Sequence, residues 1–393
     1  MDLGFSPLAN AYLTWEDLSA SENYYPLRIA VCKKCWLVQT EDYVGAKDFF
    51  GPDYAYFSSV SSSWLDHSKK YSTKVIEKFS LNAHSSVIEI ACNDGYLLRN
   101  FIEQKIPCIG VEPTRNTAQA ARKLGIEVVE EFFSTSVATQ MKESGIDADL
   151  IIGNNVFAHV PDINDFTVGL KKILKHDGVI TLEFQHILSL VEKRQFDTFY
   201  HEHCSYLSLF TACKIFLQAG LRIWDVEELP THGGSLRIYG CHQDNLRPTM
   251  RSVEAVLEKE HLAGLQTESF YSTFQSQVNS IKNDLIEFLI IQNRLGKKVV
   301  AYGAAAKGNT LLNFAGIKQD LISVVYDKAI SKQGKFMPGS HIPIVSPENL
   351  IKDNPDFVLI LPWNISDEIF PQLIAIDGWS AQVLTAIPKL TFL

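Results

Sequence analysis

Two hydrophobic periods alternate along most of the chain. A short apolar run (Val87, Ile88, Ile90) enters Asn93-Asp94-Gly95, and apolar residues then recur at helical spacing through Leu97, Leu98, Phe101 and Ile102. That order predicts a strand, a tight turn and a helix. The next apolar run, 109–111, ends on an acid, Glu112. Strand patterns return at 150–153 and 179–184 with helical patterns between them, which predicts a parallel sheet covered on both faces. Further on, Phe270, Phe274, Val278, Ile281, Leu285, Phe288 and Leu295 fall at steps of three, four or seven, one apolar stripe of a packing helix that joins two lobes. A strand pattern at 298–302 then runs into Gly303-Ala304-Ala305-Ala306-Lys307-Gly308, a helix is expected from Asn309, and a second strand at 322–326 ends on Asp327.

These patterns give an α/β chain with two nucleotide-binding βαβ units. A small irregular N-terminal lobe is expected at 1–63, a Rossmann-like domain at 64–245, a helical connector at 246–296 and a second Rossmann-like domain at 297–393. A length of 393 residues agrees with several cores, since one core rarely grows past about 250–300 residues.

Composition narrows the partners. The chain is 46% apolar and 21% charged, with a net charge of −9. An acidic balance argues against nucleic acid as the main partner, which needs a basic surface. No apolar run approaches the roughly 20 residues of a membrane span, and no basic-then-apolar secretion signal opens the chain. The seven cysteines, an odd number, read as reduced thiols rather than a disulfide framework. The cytoplasm is the expected location, with no membrane partner, and oligomeric state stays open.

Three constellations carry chemistry. In the first unit, one glycine and an acidic entry suit a cofactor with a cationic centre and no phosphate, such as S-adenosylmethionine (SAM). Glu112 would take its ribose hydroxyls, and Glu89, Asn93, Asp94, Gly95 and Asn155 complete the cofactor set. The alternatives are a unit that binds nothing and one that binds another nucleotide. The second constellation, residues 199–206, reads FYHEHCSY: two histidines, a glutamate and two tyrosines suited to proton transfer. An exposed polar loop and a His-x-His metal site compete with that reading. The third is the glycine loop 303–308, where backbone N–H groups and Lys307 suit a diphosphate; Asp327 beyond it also invites NAD. Arg237, after Gly233-Gly234, meets an anion or merely follows a turn. Cys32 and Cys35 form half of a four-ligand zinc set.

Together these segments resemble a known family, the SAM-dependent C-methyltransferases of nucleotide-activated deoxysugars. The resemblance spans the chain: GFSPLANAYL (4–13), PLRIAVCKKCWLV (26–38), YAYFSS (54–59), IACNDGYLL, the run 155–161, FYHEHCSY, GGSLR and YGAAAKGNTLL (302–312). It implies a zinc-binding N-terminal lobe, a central SAM domain and a C-terminal lobe gripping the nucleotide sugar. The implied substrate is a nucleoside-diphosphate 4-keto-6-deoxyhexose, methylated beside the ketone. His203 matches the general base, flanked by Tyr200 and Glu202; Tyr54 and His159 match active-site positions. Tyr56, Arg237, Gly303, Lys307 and Asn309 fall on the substrate side. The family's first zinc CxxC lies upstream of the 4–13 segment, where only three residues stand here, so a shortened start and an incomplete zinc site are expected.

The implied chemistry suits the residues. Carbon becomes a nucleophile only after a proton leaves the position α to a carbonyl, which needs a base and a stabiliser for the enolate oxygen. Two other readings stand beside it: an NAD-dependent nucleotide-sugar oxidoreductase using 303–327, and a catalytically silent nucleotide-sugar binder.

Overall fold

The computed structural model describes residues 1–41, 43, 45 and 57–393. Tyr54 and Tyr56 lie outside the described residues. The chain opens with three antiparallel strands, β1 (Asp2–Ser6), β2 (Tyr25–Val31) and β3 (Val38–Thr40). Along β2, Leu27 and Ile29 are buried while Arg28 and Ala30 face out, the period-two signature of a half-buried strand.

The second sheet contains β4 (Val87–Ile90), β5 (Cys108–Val111), β6 (Glu127–Val129), β7 (Ala148–Asn154) and β8 (Leu174–Gln185), all parallel. A two-residue strand, β9 (Ser205–Tyr206), leaves this region and pairs with β3, so the N-terminal sheet runs β1-β2-β3-β9. The chain returns as β10 (Leu221–Leu229) and β11 (Ser235–His242). The final order is β10-β11-β8-β7-β4-β5-β6, with β11 antiparallel to both neighbours. Both faces are apolar. Ile88, Ile90, Ile151 and Ile180 enter one core, while Val87, Leu150, Ile152 and Val179 enter the other. The order reverses between β4 and β7, and such a switch point opens a crevice at the carboxyl ends of the strands.

The third sheet holds β12 (Val299–Tyr302), β13 (Val325–Tyr326), β14 (Ile344–Val345), β15 (Phe357–Ile360), β16 (Gln382–Thr385) and β17 (Thr391–Phe392) in the order β14-β13-β12-β15-β16-β17. It too is parallel, apart from β17, and reverses between β12 and β15. Two local readings shift. The strand expected at 322–326 shortens to its last two residues, and the helix after the glycine loop begins at Ala306, which puts Lys307 in its first turn.

The connector contains helices Arg251–Leu262, Glu268–Ser272 and Phe274–Arg294. Phe274, Val278, Ile281 and Leu285 form the predicted stripe, but Leu289 completes it. Leu295, two-thirds exposed, caps the helix just before Gly296 turns into the left-handed region. That stripe lies in one continuous core with Leu27 and Val38 of the first sheet, Leu188 and Phe199 of the segment after β8, and Leu311 and Leu359 of the C-terminal lobe. No helix among the described residues is long and apolar enough to cross a membrane.

Candidate active site

The turn predicted to hold the cofactor is shaped by backbone that ordinary residues resist. Ala91 (φ 57°) and Asn93 (φ 50°) both sit in the left-handed region, which costs a β-substituted residue energy unless the surroundings fix it. Here Glu112, at the end of β5, does the fixing: its carboxylate accepts from the Asn93 N–H (2.9 Å), the Thr114 N–H (2.9 Å) and the Thr114 hydroxyl. Gly95 (φ 79°) lets the turn approach the helix Arg115–Lys123, where an added Cβ would stand 3.2 Å from the Ala121 Cα. Asn93 and Asp94 accept in turn from the backbone N–H groups of Ser58 (2.9 Å) and Ser59 (3.1 Å).

Glu89 is fully buried on β4, and neither carboxylate oxygen has a hydrogen-bond partner among the described residues. Burial, with Asp94 and Glu112 beside it, raises its carboxyl well above the usual range. An unpartnered buried acid is costly. A ligand that brings a positive charge and hydroxyl donors to this turn fits the three acids, and SAM carries both. Asn155 stands across the switch point at the end of β7, also left-handed (φ 54°), with its N–H donating to the Glu183 carbonyl at 2.7 Å.

The cluster at 199–206 is reached from β3 of the first sheet, from the segment after β7 and from the helix Ala306–Ala315. Its shape comes from β9 joining β3: Thr40 donates its hydroxyl to the His203 carbonyl (2.8 Å), and its N–H goes to the Cys204 carbonyl (3.2 Å). The His203 Nδ1 lies 2.9 Å from the Thr198 carbonyl. A carbonyl only accepts, so Nδ1 carries the proton and Nε2 keeps its lone pair. That lone pair accepts the Tyr200 hydroxyl at 2.7 Å, with the two rings 4.0 Å apart. His159 donates from Nδ1 to the Glu202 carbonyl (2.8 Å), and its ring meets His203 edge-on at 4.5 Å. Burial holds His159 down to about 4, and burial together with His159 drives His203 well below the usual range. Both imidazoles are neutral at neutral pH.

Glu202 is anchored from the N-terminal lobe: the Asn10 amide donates to both its oxygens, at 2.7 and 3.0 Å. The C-terminal lobe reaches the same segment. Thr310 donates to the Phe199 carbonyl (3.1 Å) and the Trp363 indole to Asp197 (2.7 Å). Lys307 lies over the Trp363 ring at 4.8 Å, with its ammonium 3.3 Å from the Asn364 amide oxygen. Burial lowers its pKa, and Asp197 opposes that shift. Burial pushes the Asp197 carboxyl up to about 6.

Several predicted substrate contacts are engaged inside the protein. Arg237 is 3% exposed and donates to Glu183 at 2.7 Å, with Glu227 at 3.6 Å and the Tyr71 ring beneath it; its charge is answered by carboxylates rather than offered to an anion. Asn309 donates to the Ala9 carbonyl (2.6 Å), which docks the N-terminal lobe. The glycine loop packs on protein: a Cβ on Gly303 would stand 2.5 Å from Pro362, and one on Gly308 2.7 Å from Leu361. Asp327 accepts from Ala304 N–H and Ala329 N–H, both at 2.7 Å, so its carboxylate closes the loop on itself.

Cys32 and Cys35 are both free thiols in a tight turn. Hydrogen bonds from the turn lower the Cys32 thiol, as a ligand thiolate would require. Among the described residues no group of three or more His, Cys, Asp or Glu is placed to hold a metal, so the pair does not complete a tetrahedral zinc set. Sequence reasoning passed over Asn10, Thr198, Asp197, Trp363 and His232. Asn10 and Trp363 act across more than 160 residues of chain, beyond any local pattern.

Comparison with known proteins adds the following. A family model described as "Methyltransferase domain" matches residues 64–226, and one described as "C-methyltransferase C-terminal domain" matches residues 230–388. A third, "Putative zinc binding domain", matches residues 1–50. The chain is 33% identical to C-methyltransferase NovU of Streptomyces niveus over 369 residues, covering 94% of this chain and 88% of that protein. Among solved structures, a magnesium protoporphyrin IX methyltransferase from Synechocystis PCC 6803 is 14% identical (TM-score 0.37), covering 45% of this chain and 83% of its own. An S-adenosylmethionine-dependent methyltransferase from Clostridium acetobutylicum is 11% identical (TM-score 0.36), covering 45% and 92%. A relative at one-third identity along nearly the whole length, with a methyltransferase model on residues 64–226 and a C-methyltransferase model on residues 230–388, makes this chain a member of the SAM-dependent C-methyltransferases.

Proposed function

We infer that the enzyme methylates carbon 3, beside the ketone, of a nucleoside-diphosphate 4-keto-6-deoxyhexose. The observation that carries this reading is the Tyr200–His203 pair, whose tautomer is fixed so that a lone pair receives the tyrosine proton. Deprotonation beside a ketone needs an unprotonated base within reach of that carbon, and a neutral imidazole relaying through a phenol supplies one.

Bound SAM supplies an electrophilic methyl group on a positively charged sulfur. The chain's own residues prepare the other reactant. Tyr200 oxygen accepts the proton from the carbon beside the ketone while its own proton passes to His203 Nε2. The C–H electron pair becomes the enolate double bond, and the carbonyl pair moves to oxygen. His203, now positive, is stabilised by the Thr198 carbonyl on Nδ1. Asn10 holds the Glu202 carboxylate, and with it the 199–206 segment, against the N-terminal lobe. The turn at Asn93–Gly95, with Glu89 and Glu112, holds the cofactor on the opposite side, so two ligands are aligned with little covalent work by the protein.

The nucleotide sugar is assigned to the junction between the second and third sheets, near Lys307 and Trp363. The rival NAD reading is weakened by Asp327, whose oxygens already close the 303–308 loop. Incubation with SAM and a nucleoside-diphosphate 4-keto-6-deoxyhexose should yield S-adenosylhomocysteine and a sugar heavier by one methylene unit. His203→Asn should lose activity about a thousandfold or more, with SAM affinity within about twofold of wild type. A His203→Asn enzyme at wild-type rate would remove the base assignment.

A further inference from the structure

His232 belongs to no part of the mechanism above, yet its placement is among the most constrained in the molecule. It sits in the turn between β10 and β11 with φ 53° and ψ 24°, a left-handed conformation that a β-substituted residue adopts only when its surroundings impose it. The surroundings do so from every side. On the near side, the Thr231 hydroxyl donates to Glu183 (2.9 Å), and the His232 carbonyl accepts from the Gln185 amide (3.1 Å). Beyond it, the Gly233 carbonyl accepts from Lys193 (2.8 Å) and Gln195 (3.0 Å), and a Cβ at Gly233 would stand 2.7 Å from the Trp363 ring.

The clamped backbone presents the ring to the site. The Asn155 amide nitrogen lies 3.2 Å from His232 Nε2. That nitrogen has only protons to give, so Nε2 accepts and the ring's own proton stands on Nδ1. No hydrogen bond from Nδ1 to a described residue accompanies it. The ring rests against Trp64, with centroids 5.2 Å apart. The adjoining Gly233 lies against Trp363, whose indole donates to Asp197, so the turn meets the C-terminal lobe beside the 197–206 segment; His232 also interacts electrostatically with His203 and with Lys307. Asn155 itself stands at the cofactor's switch point, so His232 is where the cofactor side and the sugar side touch.

We propose that His232 is a substrate-contacting residue whose Nδ1–H donates to the ketone oxygen as that oxygen takes up the enolate charge, with Asn155 as the positioning residue that fixes its tautomer. This rests on the reading of a keto-sugar substrate given above. In the step concerned, the proton from the carbon beside the ketone goes to Tyr200 and onward to His203. The electron pair it leaves behind becomes the enolate double bond, the carbonyl pair moves onto the ketone oxygen, and no oxidant or further reactant is needed. Burial and Lys307 hold the His232 imidazole down to about 4. The ring is therefore a neutral donor, aimed at charge that exists only late in the reaction, the arrangement that speeds a step rather than merely tightening binding.

The test compares wild type with His232→Asn and His232→Gln. Asparagine tolerates the left-handed backbone but is too short to reach the oxygen, whereas glutamine restores a donor at greater length. Two rates are read with the keto-sugar: methyl transfer with SAM, and deuterium wash-in beside the ketone with S-adenosylhomocysteine in place of SAM. We expect His232→Asn to lose about a hundredfold in kcat and a similar factor in wash-in, with sugar KM and SAM affinity within about threefold and partial recovery in His232→Gln. A merely structural role would move SAM affinity and KM as well and leave glutamine no better than asparagine; that result overturns the proposal. So does wild-type wash-in by His232→Asn in an otherwise active enzyme. Wild type that neither methylates nor exchanges any such ketone overturns the substrate reading, and this inference with it.

Discussion

A single proton position organises the site. His203 has two nitrogens, and the Thr198 carbonyl claims the proton of one, leaving the other as an acceptor for Tyr200. The same logic, with an amide in place of a hydroxyl, orients His232 through Asn155. At the cofactor turn the governing quantity is charge. Glu89 is raised by burial first, then by Asp94 and Glu112, so in the free enzyme it tends to hold its proton; a cation bound beside it favours the carboxylate instead. Binding of SAM should release a proton, and affinity should rise with pH through the raised pKa. Calorimetry in buffers of different ionisation enthalpy measures the release, and Glu89→Gln should abolish it; an identical apparent enthalpy in every buffer would contradict it. Local sequence made the acids of this turn visible, because an apolar strand ending in a polar turn is a local pattern. It could not make Arg237 legible, since the carboxylates that occupy its guanidinium, Glu183 and Glu227, come from neighbouring strands.

The helix Ala306–Ala315 shows how one glycine pattern can carry a packing cause as well as a ligand-binding reading. Two glycines before and within its first turn suggest a phosphate cradle, but each is small because another strand's loop lies against it: Pro362 against Gly303, Leu361 against Gly308. Alanine in a helix interior ordinarily adds about 1 kcal/mol over glycine. At Gly308, however, the new Cβ would come 2.7 Å from the Leu361 Cδ1 and 2.9 Å from its Cβ, and Leu361 is itself buried. Overpacking of this kind costs about 1–3 kcal/mol, so Gly308→Ala should melt at or below the wild-type temperature despite its better propensity. A clear rise in Tm would mean that the loop yields. The connector stripe was legible for the opposite reason: helical spacing is a property of one element, and Phe274 through Leu285 packs as spaced. Its end was not, because Gly296 stops the helix before Leu295 can join the core.

For the whole molecule, the seam between lobes is where polar groups are buried, and this has a pH signature. In the unfolded chain each imidazole protonates near 6.5; in the fold His159 and His232 do so only near 4, and burial holds His203 well below its ordinary value. Between those values the unfolded state binds more protons. The stability these groups contribute is therefore complete above about 6.5 and is lost as pH falls toward 4, on the order of 3 kcal/mol per group at most. Asp197, raised to about 6 in the fold, works in the opposite sense, as does the raised Glu89 at the turn after β4. Urea midpoints should fall steeply over that interval and less steeply in His159→Asn; a flat profile would show that the seam hydrates without cost.

What the sequence determined by itself was whatever depends on near neighbours: strand and helix periods, the acids of the cofactor turn, and the dense set of proton-transfer groups at 199–206. Those signals survive in one dimension because they arise from backbone geometry repeated every two or three to four residues. The tertiary structure alone decided which of those groups meet. It brought Asn10 to Glu202, Trp363 to Asp197, Asn155 to His232 and β9 to the edge of the N-terminal sheet. Hydrogen-bond partners and burial are set by contacts between distant segments, so the proton positions in the 199–206 cluster were fixed only when segments of all three lobes closed around it.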